Sequence, residues 1–264
     1  MADKDESYAF PWGFQLGDLH KEDEKIPLFT STNGGGFCLL YDDISEPKAD
    51  NLLESLSLTL LSSMPHDSLK VELFDFGKKK FYHLSPLQYM HLFRTAYTPG
   101  MMEELFKELE ETIISRYQEL ICCNRPTISE HNQKSKLKQM YHFVLINLHN
   151  FPSEEIEPRR IQNFVESAEK AGVYIVAFGN HEIENSENKN IQILLQHFKT
   201  LKVTENEFDI TEEIFEFPEL LHTHRFTSLA LDKNALMQKT LTNANLEKLM
   251  DPESIKLEEN TKVK

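Results

Sequence analysis

The sequence has 264 residues, enough for one large domain or two small ones with a full hydrophobic core. Lys and Arg number 28 against 43 Asp and Glu, so the formal net charge is −15, which argues against DNA binding by the isolated chain. The three cysteines have no metal-type spacing and indicate a reducing compartment, and we find neither a cleavable apolar leader nor an apolar run of about 18 residues. We therefore expect a soluble, cytoplasmic protein without a membrane segment.

The element pattern along the chain predicts an α/β fold. Residues 1–33 are polar and end in the turn-rich stretch STNGGG, so we expect an irregular lead-in there. Near-continuous Val, Ile, Leu and Phe, typical of strands buried on both faces, mark runs at 36–41, 69–76, 141–148 and 172–178. Helical periodicity lies between them at 49–64, 99–121 and 157–172. This alternation predicts right-handed crossovers and a doubly wound, mainly parallel sheet.

The remaining segments are polar or charged. Residues 122–138 predict a loop or a broken helix, and the chain from about Asp232 onward is charged and weakly amphipathic, with frayed last residues. We interpret the basic stretches GKKKF (77–81) and QKSKLKQ (133–139) as solvated loops. The predicted layout is a lead-in over 1–33, an α/β domain over 34–231, and a charged helical or flexible extension over 232–264.

In order and spacing, these elements resemble the motor domain of the FtsK/HerA class of P-loop ATPases, which includes DNA translocases and the motors of type VII secretion. The resemblance covers residues 10–210 and rests on the order of the elements, not on one motif. The stretch FPWGFQLGD is similar to the family's Pro-x-Gly lead-in, residues 37–61 lie at the position of the Walker A strand, loop and helix, and YHFVLINLHNF lies at that of the Walker B strand. The segment AEKAGVYIVAFGNHE resembles the helix and strand that end in the family's sensor. The resemblance implies a RecA-like P-loop fold with N-terminal and C-terminal extensions.

The Walker A position has lost most of the residues that bind nucleotide. A P-loop holds phosphates with glycine-exposed backbone N–H groups and a lysine, and a hydroxyl after the lysine holds magnesium. An ungapped match places Asp42 and Pro47 at the two glycines and Ala49 at the hydroxyl, so only Lys48 remains. Acidic neighbours would repel phosphates, and Pro47 removes one N–H donor.

The Walker B and sensor positions depart from the family independently. Asn147 and Leu148 stand where two acids would engage magnesium and orient water, and leucine can do neither. Asn180, at the sensor position, can still donate a hydrogen bond, whereas Asp75 is explained equally well as a crevice residue or as a turn cap. The resemblance therefore implies a degenerate nucleotide site with no catalytic residue and no metal, formed by Asp42, Pro47, Lys48, Ala49, Asp75, Asn147, Leu148 and Asn180.

Histidines and cysteines offer no stronger candidate. His222 and His224 would place two imidazoles on one face of a strand, a spacing compatible with zinc, but no third ligand is identifiable. His149 lies near the lost catalytic position, yet a base alone does not restore magnesium binding. Cys122 and Cys123 point in different directions in either regular structure, which disfavours a shared ligand role.

These observations predict a pseudo-ATPase, a catalytically inactive FtsK-like homologue that acts as a scaffold or recognition subunit. It would serve in a DNA-processing, genome-defence or secretion complex, with a protein partner such as an active motor or nuclease subunit, and it could form a homo-oligomer. No cofactor is expected. Two alternatives stay open: a nucleotide-binding or ATP-hydrolysing motor subunit that uses ATP and Mg with a non-standard P-loop around Lys48, and a protein-cargo adaptor.

Overall fold

The computed structural model describes residues 8–79, 81–205 and 208–250, with only the helical backbone described over 244–250. Its strands are β1 (Gly13–Lys21), β2 (Glu24–Ser31), β3 (Gly36–Tyr41), β4 (Leu69–Phe74), β5 (Phe93–Ala96), β6 (Tyr141–Asn147), β7 (Val173–Asn180), β8 (Thr200–Val203), β9 (Phe208–Asp209) and β10 (Arg225–Ser228). Its α-helices are α1 (Glu46–Ser63), α2 (Pro99–Glu119), α3 (Ile128–Lys134), α4 (Pro158–Ala168), α5 (Lys189–His197), α6 (Pro218–Leu221) and α7 (Lys233–Met250). Short 3-10 helices lie at Ser85–Met90 and His181–Asn185.

A seven-stranded sheet in the order β5-β4-β6-β7-β3-β8-β9 forms the centre of the fold. All of its neighbouring strands are parallel except β8 and β9. The chain leaves β3 towards β4 and later passes from β7 to β8 on the other side of β3, so the carboxyl end of β3 lies at a topological switch point.

Helices cover both faces of this sheet, as the predicted α/β fold class requires. Side chains of β3 alternate between two cores: Phe37 and Leu39 pack with α1, whereas Cys38 and Leu40 pack with α2, α4 and α5. The four predicted strands and three predicted helices are confirmed, with shifts at their ends. Residues 122–138 contain the short helix α3, in agreement with a broken helix.

The expectation of an irregular N-terminal lead-in is wrong for residues 13–31, which the structure places in two strands. Strands β1 and β2 form a hairpin that β10 extends to a three-stranded sheet in the order β10-β1-β2. A bulge between Gln15 and Gly17 breaks the alternation of buried and exposed residues that would have identified β1. At Gly17, a Cβ atom would lie 2.2 Å from the carbonyl oxygen of Thr227, so only glycine permits the approach of β10.

The C-terminal extension is helical through Met250 and packs against α1. Leu236, Met237 and Leu241 contact the core on the α1 face, and the ammonium group of Lys233 lies 2.6 Å from a carboxylate oxygen of Glu54. The frayed residues predicted at the end of the chain lie outside the described residues. Within the described ranges, no helix combines the length and apolar character needed to cross a membrane.

Candidate functional site

The predicted site residues meet at the carboxyl edge of the main sheet. Strand β3 ends at Tyr41, β4 is followed by Asp75, β6 ends at Asn147 and β7 ends at Asn180. Because β4, β6, β7 and β3 are consecutive parallel strands, these ends lie side by side. In a P-loop fold a nucleotide binds at this edge, so the residues that the sequence predicted for a degenerate nucleotide site lie near one another.

The loop from β3 to α1 has only four residues, 42–45, and closes on itself. The backbone N–H of Ser45 donates to Asp42 Oδ1 over 2.7 Å, and the N–H of Asp42 donates to Ser45 Oγ over 2.9 Å. The N–H of Glu46 donates to the carbonyl oxygen of Asp42 over 3.0 Å. Hydrogen bonds from the Ser45 side chain and backbone, with a weaker one from the Ile44 backbone, hold the pKa of Asp42 below its usual value. The carboxylate of Asp42 thus accepts loop N–H groups that a P-loop would offer to phosphate.

The other Walker A positions belong to the first turn of α1. Pro47 is exposed, and Ala49 is fully buried with its N–H donating to the carbonyl oxygen of Ser45 over 3.1 Å. The ammonium group of Lys48 donates to the backbone carbonyls of Thr204 and Glu205, which follow β8. Lys48, the residue that the sequence matched to the Walker A lysine, is therefore already engaged by the protein's own backbone.

Lys79 lies in the crevice, although the sequence predicted that its segment is a solvated loop. Its side chain is only 3% exposed, and its Nζ lies 2.6 Å from Glu46 Oε1 and 2.7 Å from Asp50 Oδ1. The same ammonium group lies 4.9 Å from the ring centroid of Tyr41 and 5.7 Å from that of Phe178, at the ends of β3 and β7. An internal cation thus sits over the ends of the two strands and holds the first turn of α1.

The interactions between Lys79, Glu46 and Asp50 shift the pKa values of Lys79 and Asp50. Burial alone would lower the pKa of Lys79, but hydrogen bonds and attraction from Asp50 and Glu46 outweigh it and hold the pKa above its usual value. Burial raises the pKa of Asp50, because attraction from Lys79 offsets it only in part. Glu46 and Asp50 are four residues apart and therefore lie on one face of α1. This spacing is the feature of the sequence that could have predicted a cation between them.

Asp75, Asn147 and Leu148 are structural residues in this arrangement. The carboxylate of the fully buried Asp75 accepts one hydrogen bond from Asn147 Nδ2 over 2.7 Å and another from the N–H of Lys79 over 2.9 Å. Asn147 Oδ1 in turn accepts from the N–H of His149 over 3.1 Å. Leu148 is buried in the core on the α2 face. Asp75 is therefore a turn cap whose two oxygens are both engaged, which is one of the two interpretations left open by the sequence.

Asn180 and His149 join the ends of β6 and β7 to the loop after β3. Asn180 Nδ2 donates to Asp43 Oδ1 over 2.7 Å, and the N–H of Asn180 donates to His149 Nε2 over 3.0 Å. Burial, with a smaller effect from the positive charges of Lys78 and Lys79, lowers the pKa of His149. His149 is thus a neutral acceptor whose Nε2 lone pair is already used, which disfavours the replacement-base role.

His222 and His224 do not form the pair on one strand face that the sequence predicted. His222 and His224 lie in the turn after α6, and His224 Nε2 is 3.5 Å from Glu24 Oε2. His222 has helical φ/ψ angles, so His222 and His224 do not point to the same face of a strand, as the predicted zinc-binding pair would require. No cluster of three or more metal-type ligands occurs among the residues that the structure describes.

Comparison with known proteins gives relatives in structure only. No profile of a known protein family and no curated protein sequence matches the chain. The structure resembles EssC (ATPases 2 and 3) from Geobacillus thermodenitrificans, with a TM-score of 0.58 and 13% identity over 92% of this chain and 50% of that one. It also resembles the pCW3 conjugation coupling protein TcpA in its monomer form with ATPγS, with a TM-score of 0.57 and 14% identity over 88% of this chain and 70% of that one.

A third similar structure is Thermomonospora curvata EccC (ATPases 2 and 3) in complex with a signal sequence peptide. Its TM-score is 0.54 and its identity 13%, over 73% of this chain and 34% of that one. The chain spans half the length of the EssC structure that it matches. At these identities the comparisons concern the fold, and the fold is the one that the element order predicted. The chain has the fold of an FtsK/HerA-type P-loop ATPase domain.

Proposed function

We propose that this chain is a pseudo-ATPase: an FtsK-like domain that does not hydrolyse ATP and acts as a scaffold or recognition subunit in the cytoplasm. The observation that carries the proposal is the closed loop between β3 and α1. Asp42 and Ser45 satisfy each other's backbone N–H groups there, so the loop offers a phosphate few of the donors that a P-loop presents.

The charges of the crevice support the same proposal. A triphosphate with magnesium would have to displace the Lys79 ammonium from Glu46 and Asp50, and its phosphates would face the carboxylates of Asp42 and Asp43. Carboxylates repel nearby phosphates, and pulling the buried Lys79 ammonium group away from its two carboxylate partners costs free energy. Asn147 and Leu148 also bring no acid to the place where magnesium would bind. These residues do not fit ATP and Mg.

The setting of this function is inferred from the similar structures. EccC is a type VII secretion ATPase, the EssC structure contains its ATPases 2 and 3, and TcpA is a conjugation coupling protein. We place this chain in a secretion, DNA-processing or genome-defence complex in which an active motor or nuclease subunit is a separate protein, and in which further copies of this chain can assemble. A net charge of −15 suits a partner with a basic surface better than it suits DNA.

ATP hydrolysis and nucleotide binding test the proposal together. Phosphate release by the purified chain with ATP and Mg should equal that of the Lys48→Ala variant, and neither ATP nor ATPγS should raise the melting temperature. Magnesium-dependent hydrolysis that Lys48→Ala abolishes would contradict the proposal. A rise in melting temperature without hydrolysis would instead favour the nucleotide-binding alternative.

A protein-cargo adaptor is the second candidate function. It is favoured by exposed aromatic side chains beside β2, with Trp12 70% and Phe217 54% exposed, for which nucleotide chemistry gives no reason. The EccC structure with a signal sequence peptide is an example of a similar fold that binds a peptide.

A further inference from the structure

An open groove of about 590 Å³ lies on the outer face of strand β2. Pro27, Phe29 and Ser31 alternate along the floor of this groove, whereas Leu28 and Thr30, between them, are fully buried beneath the hairpin. The groove is thus formed by the solvent side of a strand whose other side belongs to the core. Its volume lies within the range of pockets that bind small molecules or peptide side chains.

Aromatic side chains line the groove. The ring of Trp12 lies 5.0 Å from that of Phe29 and is mostly exposed. The segment 213–217 contributes Phe215, which is buried, and Phe217, which is more than half exposed. Large aromatic residues at the mouth of an apolar groove are typical of the residues that dominate binding energy at protein interfaces.

The free charge at the rim of the groove is negative. Glu213 and Glu216 line it and are exposed. Lys199 is the one cationic residue among those lining the groove, and its Nζ donates to the carbonyl oxygen of Ser31 over 2.7 Å. A partner cation that approaches the rim would therefore meet two exposed carboxylates, of which Glu216 also attracts the Lys199 ammonium group, and an ammonium group that is already bound.

Strand β2 is also an edge strand. It pairs with β1 on one side, and no other described strand pairs with it on its free side. The free edge of a strand accepts an extended peptide through backbone hydrogen bonds. Pro27 lacks an N–H and limits the number of these bonds, as is common at sheet edges, so side chains must supply much of the affinity.

We propose that this groove binds an extended segment of a partner protein in which lysine or arginine alternates with large apolar side chains. The apolar side chains enter the groove between Trp12 and Phe217, and the cations contact Glu213 and Glu216. The proposal rests on the recognition role proposed above and specifies its ligand, but it does not depend on the absence of ATP hydrolysis.

Trp12 is the sole tryptophan of the chain, so its fluorescence reports directly on the groove. The probe is a tryptophan-free acetylated peptide, Lys-Leu-Lys-Phe-Lys-Leu-Lys amide, titrated into the full chain. One comparison peptide has every lysine replaced by glutamate, and another has every leucine and phenylalanine replaced by serine. We expect a saturable shift of Trp12 emission to shorter wavelength, with an affinity at least about tenfold higher than that for either comparison peptide.

Two sets of exposed substitutions test the assigned contacts. Glu213→Lys with Glu216→Lys should weaken binding by about tenfold, and Phe217→Ser by about fivefold or more. The matched control is Glu154→Lys with Glu187→Lys, which changes the net charge equally at two exposed glutamates outside the groove and should leave affinity unchanged. Thermal melting of each variant verifies that it is folded.

Three results would overturn the proposal: absence of a shift, equal binding of the basic and acidic peptides, or equal loss of affinity in the control variant. A fourth is a shift of Trp12 emission to longer wavelength when residues 1–7 or 251–264 are deleted, because the chain itself would then cover the groove. If the chain hydrolyses ATP and still binds the peptide, only the pseudo-ATPase proposal is contradicted. If it neither hydrolyses ATP nor binds the peptide, only the proposal that the groove binds a peptide is contradicted.

Discussion

Replacement of Lys79 by methionine is the most direct perturbation of the crevice. Methionine keeps most of the aliphatic length against the rings of Tyr41 and Phe178 but removes the charge that Glu46 and Asp50 share. We expect the variant to fold with lower stability, because Glu46 and Asp50 then lose the ammonium group that lies within 2.7 Å of a carboxylate oxygen of each.

The loss of stability expected for Lys79→Met depends on how exposed the side chains of Glu46 and Asp50 are. Removal of one member of a fully buried ion pair costs roughly 3–5 kcal/mol. The side chains of Glu46 and Asp50 are 47% and 32% exposed and can regain water, so we expect a loss of about 2–3 kcal/mol. For a domain of this size this corresponds to a fall in melting temperature of about 5–10 °C. Because the pKa of Lys79 is raised in the folded state, its stabilisation is fully present at neutral pH and is lost only as pH rises above about 10.4.

Urea unfolding at neutral pH measures this loss, with Lys78→Met as the matched control. Lys78 is exposed and adjacent in sequence, so its variant should lie within about 0.5 kcal/mol of the wild type. Addition of Glu46→Gln and Asp50→Asn to Lys79→Met should recover part of the stability, because the uncompensated charges disappear. If Lys79→Met and Lys78→Met have the same stability, the internal-cation interpretation is refuted.

Three further substitutions test other buried polar groups. The pKa of His149 is lowered in the folded state, so wild-type stability should fall as pH decreases below about 6.5, and His149→Gln should flatten this dependence in urea titrations at several pH values. Burial lowers the pKa of Arg116 to about 10, and its guanidinium donates to two backbone carbonyls over 2.5 Å each. The substitution Arg116→Met should lower the free energy of unfolding, measured by thermal unfolding, by about 2–4 kcal/mol. An unchanged free energy of unfolding would contradict the assigned hydrogen bonds. Glu54 accepts from Lys233 at the start of α7, so Glu54→Gln should make this helix cleavable earlier in limited proteolysis; unchanged cleavage would mean that apolar packing alone retains α7.

The sequence was sufficient for the elements whose signals are local. Strand β3 and the other buried parallel strands are continuous apolar runs, and α1 shows its helical period over several turns, so their order predicted the fold class. The prediction that Asp42, Pro47 and Ala49 replace Walker A residues likewise comes from the sequence alone. Strand β1 escaped detection because its bulge at Gln15 and Gly17 disrupts the two-residue alternation on which such a prediction depends.

The tertiary structure alone decided what fills the crevice. Lys79 and Glu46 are separated by 33 residues, and Lys48 and Glu205 by 157, and no local period indicates which of many exposed charges will meet after the chain folds. The groove beside β2 likewise combines Trp12 with the distant segment 213–217. The sequence by itself predicted that the loop after β3 lacks the residues of a phosphate-binding loop. Packing decided that this loop closes with its own carboxylate and that Lys79, in the loop after β4, supplies the cation, because these contacts depend on which strands become neighbours.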